Sequence, residues 1–192
     1  ARHEVQRLRH ASDAILTGIG TVLADDPQLT DRSGLPRRRP LHRVLLDTHL
    51  RTPLTSQLVD SAANDLLLLC GSTASPKEIA ALEARGAEVK VIPGHAGRLS
   101  LPAALTLLAE RNLLSLLLEC GSHLNGSFLR QNLVDKAVLF YAETELGKHS
   151  IPFAEGIASP YLFEQSLSRI ARTTYDPDVC VTGYVHNPWP NP

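Results

Sequence analysis

LLSLLLECGSHLNGSFLRQNLVDKAVLFY, residues 113–141, is the stretch that decides the fold. The apolar run from Leu113 to Leu118 is bounded by turn residues, a pattern typical of a buried strand. A short helix is predicted from Ser127 to Asn132, and a second buried strand from Ala137 to Tyr141. The order is therefore strand, glycine-bearing turn, helix and strand.

The turn from Glu119 to Ser127 carries the candidate ligand chemistry. A helix start has unpaired backbone N–H groups, and its dipole favours negative charge. Gly121 and Gly126 would let a ligand approach the main chain, and Glu119 follows the strand where open α/β sheets bind ligands. Two interpretations stay open: a phosphate or dinucleotide site with an acid at its edge, or an ordinary strand-to-helix turn with a surface glutamate.

Two well-known nucleotide motifs are excluded. A Walker loop needs lysine after its last glycine, and Gly126 is followed by Ser127. The dinucleotide fingerprint would need a third glycine at Leu23 after Gly18 and Gly20, and no βαβ unit is predicted around it. The chain is thus neither a P-loop nucleotidase nor a standard Rossmann domain.

Composition indicates one globular domain. The 192 residues are 43% hydrophobic and 20% charged, with a net charge of -1, which argues against a dominant nucleic-acid surface. No apolar run approaches the roughly 20 residues of a membrane span, and no signal peptide is recognised. The tract Arg37–Arg39, flanked by prolines, is predicted to be a solvated loop.

The cysteines and histidines suggest no metal or disulfide framework. The three cysteines lie far apart without a C-x-x-C pair, and the eight histidines form no closely spaced ligand pair. Small buried thiols in a reducing cytosol are the simpler account, so we expect a cytoplasmic protein without a metal. The chain lacks methionine and opens in a predicted helix, which suggests a piece of a longer polypeptide.

The remaining patterns predict an α/β core completed by a hairpin. A helix is expected from Glu4 to Ala11, with Val5 and Leu8 on its buried side, and Thr21–Arg32 is expected to be mainly turns. The other predicted strands cover residues 14–17, 42–46, 65–70 and 88–92, with capped helices at 76–85 and 101–111. A hairpin is predicted from residues 168–175 and 179–186. Docking through Trp189 and fraying both stay open for the tail Asn187–Pro190.

Three blocks, in order along the chain, resemble the reductase domain of riboflavin biosynthesis, the C-terminal half of the bifunctional pyrimidine deaminase/reductase. They are Ser12–Thr30, Leu45–Pro53 and Glu119–Ser127, and Leu133–Lys136 is also similar. The likeness covers nearly the whole chain. It implies a dihydrofolate-reductase-like α/β fold, with a mostly parallel central sheet flanked by helices and a C-terminal antiparallel hairpin.

The resemblance implies NADPH-dependent reduction of 5-amino-6-(5-phosphoribosylamino)uracil to its ribityl counterpart. Residues implied to bind the cofactor are Thr21, Asp25, Thr48, Gly121, Ser122, His123, Leu124, Asn125, Gly126 and Ser127. Hydride transfer asks little of side chains, because the cofactor carries the reactive atom and the protein positions it. The absence of a nucleophile–base–acid triad fits this chemistry.

Residues implied to bind the phosphorylated pyrimidine are Arg9, Leu29, Arg32 and Glu119. Arginine suits the 5′-phosphate through charge-assisted forked hydrogen bonds. Glu119 would hold the substrate near the transferred hydride, and Asp25 would orient the sugar or assist proton transfer to its ring oxygen. Glu119 and Asp25 are the catalytic candidates.

The chain departs from the family at its front, so we expect one reductase domain, residues 1–192, truncated at the N-terminus. The family's first strand and the upstream zinc deaminase signatures are missing; the deaminase is expected as a fused partner in the full-length protein. The resemblance also suggests a homodimer or larger assembly. Two alternatives stay open: a related reductase acting on a diaminopyrimidinone or pterin-type substrate, and a noncatalytic nucleotide-binding half.

Overall fold

A computed structural model describes residues 1–144, 147 and 150–186, which form two compact units. The first unit comprises residues 3–121, and the second comprises the chain from Ser122 onward together with residues 1–2. The tail Asn187–Pro190 lies outside the described residues. Among the described residues, no helix combines the length and apolar character needed to span a membrane.

The first unit is an alternation of helices and strands. Its helices are α1 (Arg2–Ala11), α2 (Ile19–Asp25), α3 (Gln57–Asp60), α4 (Pro76–Glu83) and α5 (Leu101–Glu110). Its strands are β1 (Ala14–Gly18), β2 (His42–Leu46), β3 (Leu66–Cys70), β4 (Glu88–Val91), β5 (Gly94–His95), β6 (Arg98–Leu99) and β7 (Leu116–Leu118). Five strands form a parallel sheet in the order β4-β3-β2-β1-β7, and β5 and β6 form a small antiparallel pair.

Both faces of the central strands are buried, as near-continuous apolar runs predict for a parallel sheet. On one face, alternate residues such as Ile15, Leu45 and Leu68 join a core cluster. The intervening residues, among them Leu16 and Val44, are equally buried. The predicted parallel sheet is confirmed, as are the strands predicted at residues 14–17, 42–46, 65–70 and 88–92.

The second unit contains α6 (Ser122–Arg130), β8 (Lys136–Tyr141), α7 (Pro160–Gln165), β9 (Ser168–Tyr175) and β10 (Asp178–Tyr184). Its three strands are antiparallel in the order β8-β10-β9. The predicted C-terminal hairpin is thus confirmed. The strand predicted at Ala137–Tyr141 is present, but it pairs within this antiparallel sheet and is only partly buried.

Several local predictions were wrong. The buried strand predicted over Leu113–Leu118 shrinks to the half-exposed β7, because this edge strand has only β1 as a neighbour, and Leu114 is 82% exposed. Ile19–Asp25 is a two-turn helix, so a parallel βαβ unit does surround Gly18 and Gly20. The helix predicted at 76–85 was expected to be capped, but Ser75, the residue before it, makes no capping hydrogen bond with its side chain.

Candidate functional site

The carboxyl ends of the parallel strands share one edge of the five-stranded sheet. Thr48 lies two residues beyond the end of β2, and Glu119 lies one residue beyond the end of β7. Gly121 faces α2, because a Cβ added to it would lie 4.0 Å from Thr21 Oγ1. The sheet therefore collects these four predicted residues at the edge where open α/β sheets bind ligands.

Arg9 and Glu119 form a forked ion pair at this edge. Arg9 Nε donates to Glu119 Oε2 at 3.0 Å, and Arg9 Nη2 donates to Oε1. Arg9 is the one buried residue of α1, with 7% of its surface exposed, whereas the Glu119 side chain is 36% exposed. Val5 and Leu8, predicted for the buried side, are only partly covered. The pair combines a buried cation with a carboxylate that solvent reaches.

The backbone fixes both partners of this pair. The N–H of Glu119 donates to the carbonyl of Leu16 in β1 at 3.0 Å, which continues the sheet pairing past β7. Arg9 Nη1 donates to the carbonyl of Thr30 at 2.9 Å. Arg9 was predicted to bind the 5′-phosphate of the substrate through forked hydrogen bonds. In this structure its Nε–Nη2 edge faces Glu119 instead.

The end of α2 places Asp25 and its neighbour Asp26 in different surroundings. Asp26 is a structural residue: it ends α2 in a left-handed conformation, and its carboxylate accepts from the backbone N–H of Gln57 at 2.8 Å. Asp25, the predicted catalytic acid, has an exposed side chain. Asp25 is therefore the more exposed acid of the two, and Asp26 is only partly covered.

The predicted substrate residues Leu29 and Arg32 differ in exposure. Leu29 is 3% exposed within the core cluster and adopts a left-handed φ of 56°. Its side chain belongs to the core, which leaves backbone groups for any ligand. Arg32 is exposed, and its backbone N–H donates to Gln6 Oε1 at 2.7 Å, so its guanidinium projects from an anchored backbone.

Helix α6 begins earlier than the sequence predicts. The helix was expected from Ser127, yet it starts at Ser122, directly after Gly121. Its first N–H groups have no intrahelical partner, and they belong to the first residues of the predicted cofactor loop. Ser122 is buried, and its hydroxyl has no hydrogen-bond partner among the described residues.

The next part of the loop packs on its own chain. A Cβ on Gly126 would lie 2.3 Å from the carbonyl oxygen of Glu155, so the close approach at this glycine is made by the 153–156 segment. Asn125 Nδ2 donates to the carbonyl of Phe153 at 2.8 Å. The N–H of Glu155 donates to the carbonyl of Ser122 at 2.9 Å. These contacts hold the segment on α6.

The remaining loop residues lie on the same helix. His123 has a 90% exposed side chain, and its Nδ1 lies 2.9 Å from Glu155 Oε2. Ser127 donates its hydroxyl to the carbonyl of His123 at 2.9 Å, and Leu124 is half-buried. Among these residues, His123 is the side chain that solvent reaches most freely.

Sequence reasoning missed two polar side chains near the sheet edge. Thr17 and Asp47 are fully buried, and Thr17 Oγ1 and Asp47 Oδ1 have no hydrogen-bond partner among the described residues. The other oxygen of Asp47 accepts from the N–H and the hydroxyl of Thr52 at 2.8 and 2.7 Å. A polar residue directly after a run of apolar strand residues is the signal that could have identified both.

Fold and site together define an open α/β protein with its candidate ligand site at the carboxyl edge of parallel strands. Residues 1–181 match the family described as RibD C-terminal domain. The chain belongs to this family.

Named relatives support the same grouping. The chain is 37% identical over 157 residues to the 2,5-diamino-6-ribosylamino-4(3H)-pyrimidinone 5′-phosphate reductase of Archaeoglobus fulgidus, covering 77% of this chain and 69% of that protein. It is 35% identical to the riboflavin biosynthesis protein RibD of Actinobacillus pleuropneumoniae, covering 77% of this chain but 39% of that longer protein. The chain thus spans well under half of the RibD relative.

Solved structures share the fold. Acinetobacter baumannii RibD superposes with a TM-score of 0.75 at 26% identity, covering 95% of this chain and 49% of that one. The Saccharomyces cerevisiae riboflavin biosynthesis reductase Rib7 gives a TM-score of 0.75 at 19% identity, covering 95% and 79%. The predicted fold class is confirmed by these neighbours and by the sheet described above.

Proposed function

We propose that the chain catalyses NADPH-dependent reduction of 5-amino-6-(5-phosphoribosylamino)uracil to 5-amino-6-(5-phosphoribitylamino)uracil. The observation that carries the proposal is the Arg9–Glu119 pair at the carboxyl edge of the sheet, in a chain of this family. The chain is then an oxidoreductase of riboflavin biosynthesis. The match over residues 1–181 supports treating both compact units as parts of one reductase domain.

The residues present suit a phosphate-bearing cofactor. The unpartnered Ser122 hydroxyl and the first N–H groups of α6 offer donors of the kind that bind phosphate at a helix start. We propose that Thr21, Thr48 and Gly121 also contact the cofactor, with His123 to Ser127 contributing from the same helix. When bound, NADPH supplies the hydride that is added to C1 of the open-chain sugar.

The substrate roles follow from exposure and charge. Glu119 accepts hydrogen bonds from the substrate with the carboxylate surface that Arg9 leaves uncovered. Arg32, with an exposed guanidinium on an anchored backbone, is the better candidate to grip the 5′-phosphate. Asp25 orients the sugar or passes a proton to the ring oxygen as the C1–O bond breaks, which leaves a C1=N iminium that hydride addition at C1 converts to the ribityl amine.

The experiment measures substrate-dependent loss of NADPH absorbance with Glu119→Gln beside the wild type. We expect kcat/KM to fall at least about tenfold, because a charged hydrogen-bond acceptor contributes about 1.5–3 kcal/mol. Glu88→Gln is the matched control. Glu88 also forms forked bonds to an arginine, Arg111, both at 2.7 Å, but it lies at the amino end of β4.

Equal turnover in Glu119→Gln and wild type would remove Glu119 from its role. NADPH binding in calorimetry without turnover of any pyrimidine would favour the noncatalytic alternative.

A second substrate has specific support. The archaeal relative, of which this chain covers 69%, is named a reductase of the 2,5-diamino pyrimidinone phosphate. Competing that compound against the aminouracil in one enzyme preparation separates the two substrates. The one with the higher kcat/KM is the physiological candidate.

We also propose that the protein is a homo-oligomer and is joined to a deaminase half in its full-length form. Strand β9 is an exposed edge strand, and Ile170 on it is 42% exposed, which supports strand-edge association between copies. This chain covers only 39% of the length of the RibD relative, which supports a fused deaminase half in the full-length protein. Light scattering of the purified chain tests the oligomer.

We propose a cytoplasmic location on the cysteine pattern of the sequence. The three cysteines lie far apart and include no C-x-x-C pair, which is the pattern expected for small buried thiols in a reducing compartment.

A further inference from the structure

We infer that Arg37 and Asp31 are positioning residues that hold the end of α1, so that Arg9 in turn aligns Glu119. The inference rests on the proposed function in one respect, namely that Glu119 contacts the substrate. The group comprising His10, Asp31 and Arg37 is called the Arg37 cluster below.

Arg37 closes the end of helix α1 from 26 residues away along the chain. Its Nη1 donates to the carbonyls of Arg9 and His10 at 2.9 and 2.8 Å, and its Nη2 donates to the carbonyl of Ser12 at 2.7 Å. The last carbonyls of a helix lack intrahelical partners, and the helix dipole favours a cation beside them. One guanidinium therefore supplies both the donors and the charge that this helix end requires.

Asp31 joins Arg37 to the loop that precedes it. Its Oδ2 lies 3.1 Å from Arg37 Nη1 and 3.0 Å from His10 Nδ1, and its Oδ1 accepts from the N–H of Ser33 at 2.9 Å. Burial raises the pKa of the Asp31 carboxyl, but the hydrogen bonds from Ser33, His10 and Arg37 outweigh it and hold that pKa well below its usual range. The carboxylate is thus a charged junction between α1 and this loop.

The Arg37 cluster acts on Arg9 from two sides. The carbonyl of Arg9 itself accepts from Arg37, which fixes the backbone carrying the guanidinium. Thr30, whose carbonyl accepts from Arg9 Nη1, is the chain neighbour of Asp31. Substituting Arg37 or Asp31 would therefore loosen the Arg9 backbone and the Thr30 carbonyl that accepts from the Arg9 side chain. Glu119 would stay in place, because its N–H is bonded to the sheet.

The sequence offers a matched control in the same tract. The three consecutive arginines were predicted to be a solvated loop, which is correct for the exposed Arg38 and Arg39 but wrong for Arg37. The Arg37 side chain is only 18% exposed because it lies against the helix end. Arg38→Ala removes the same charge from the same loop without touching the cluster.

The experiment combines a kinetic cycle with a spectroscopic measurement that needs no turnover. Arg37→Ala is expected to lower kcat/KM about tenfold or more, since a small misplacement at a reacting centre can cost up to about a hundredfold. In a Glu119→Gln background the same change should cost less than about twofold, because residues acting as a unit are not additive. Arg38→Ala should leave kcat/KM unchanged in both backgrounds.

The spectroscopic arm follows the Arg9 Nε–H resonance by 15N NMR, assigned through its loss in Arg9→Lys. Its exchange with water should be slow in the wild type and at least about tenfold faster in Arg37→Ala and in Asp31→Asn, because the bond to Glu119 would open more often. Arg37→Lys keeps the charge but cannot reach three carbonyls at once, so it should behave like alanine.

Each outcome decides the inference. Unchanged Arg9 exchange in folded Arg37→Ala or Asp31→Asn overturns it, and so does an equal kinetic loss in both Glu119 backgrounds. If the wild type turns over neither pyrimidine, the proposed function has failed, and the NMR measurement still decides whether the Arg37 cluster holds Arg9. Should Arg37→Ala not fold, Asp31→Asn and Arg37→Lys supply the same comparison.

Discussion

The carbonyl of Glu155 occupies the space that a side chain at Gly126 would fill, since a Cβ there would lie 2.3 Å from that oxygen. Helix α6 therefore tolerates glycine in its interior because another part of the chain packs directly against it. A backbone carbonyl cannot move aside as the end of a flexible side chain can.

Gly126→Ala is accordingly expected to destabilise the protein by about 1–3 kcal/mol, the usual cost of overpacking. The measurement is chemical unfolding followed by circular dichroism. Gly20→Ala is the control: it lies in helix α2, and a Cβ there meets nothing within 4 Å. That control should gain about 0.5–1 kcal/mol from reduced chain entropy. Equal stability of Gly126→Ala and wild type would show that the 153–156 segment does not pack on α6.

The pair formed by Arg43 and Asp65 should make stability depend on pH. Arg43 is 1% exposed, and its Nε and Nη2 donate to Asp65 at 2.8 and 2.9 Å. Burial raises the pKa of the Asp65 carboxyl, but the hydrogen bonds from Arg43 and from the N–H of Ala63 outweigh it and hold that pKa below its usual value. The stability from this pair is therefore fully present above about pH 4, the unfolded pKa, and is lost as the pH falls through the folded pKa.

Asp65→Asn leaves the buried Arg43 uncompensated and should cost about 3–5 kcal/mol at neutral pH. The difference from wild type should shrink as the pH is lowered from 4 towards 2, as measured by urea unfolding at a series of pH values. Asp60→Asn, which disrupts the exposed pair with Arg85, should cost no more than about 1 kcal/mol. A difference that stays constant down to pH 2 would contradict the assignment.

Ser122 tests the start of α6 as a phosphate site. Because its buried hydroxyl has no partner among the described residues, Ser122→Ala should leave the stability of the cofactor-free protein unchanged or slightly raised. NADPH affinity should nevertheless fall about five- to tenfold, which corresponds to one lost hydrogen bond of about 1 kcal/mol. Calorimetric titration measures the affinity.

The control for this prediction is Ser100→Ala. The Ser100 hydroxyl accepts from the N–H of Ala103 at the start of α5, so its loss should cost about 1 kcal/mol of stability without changing NADPH affinity. Undiminished NADPH affinity in Ser122→Ala would remove that hydroxyl from the cofactor site.

Arg32 is expected to recognise the phosphate of the substrate. Arg32→Ala should raise KM for the phosphorylated pyrimidine about tenfold or more, with a smaller effect on kcat, because the exposed guanidinium binds a group remote from the reacting carbon. Arg32→Ala should change KM for the dephosphorylated compound only slightly, and Arg38→Ala should match the wild type with both compounds. A proportionate loss with both compounds would place Arg32 elsewhere in the mechanism.

The local sequence pattern was sufficient to predict a strand or helix where the burial of its apolar residues dominates. The all-apolar run Leu66–Cys70 predicts a strand buried on both faces, and the structure has it inside the parallel sheet, between β4 and β2. The spacing of apolar residues after Ser100 predicts the helix that follows. Prediction failed at β7, whose apolar residues look the same in the sequence but lie at an open edge, since burial depends on neighbours that the local sequence does not specify.

The candidate site divides in the same way. The residue types at Glu119 and Arg32 and the order of the three blocks pointed to the family and to a carboxylate after a strand. The burial of Arg9 and of Arg37 could not be predicted from the sequence. An arginine side chain can be a solvated surface cation, or it can pair with a carbonyl or carboxylate from a distant part of the chain.

The amino-acid sequence by itself determined the inner strands of the parallel sheet, the helices after Ser75 and Ser100, the C-terminal hairpin, the family and the candidate residues, because those follow from periodicity, turn chemistry and motif. Only the tertiary structure decided that Arg9 pairs with Glu119 across 110 residues, that Arg37 closes a helix far from it in the chain, and that Gly126 accommodates Glu155. These contacts depend on distances that arise once the sheet forms, and hydrogen bonds only a few ångströms long are specified by position in space and not by separation along the chain.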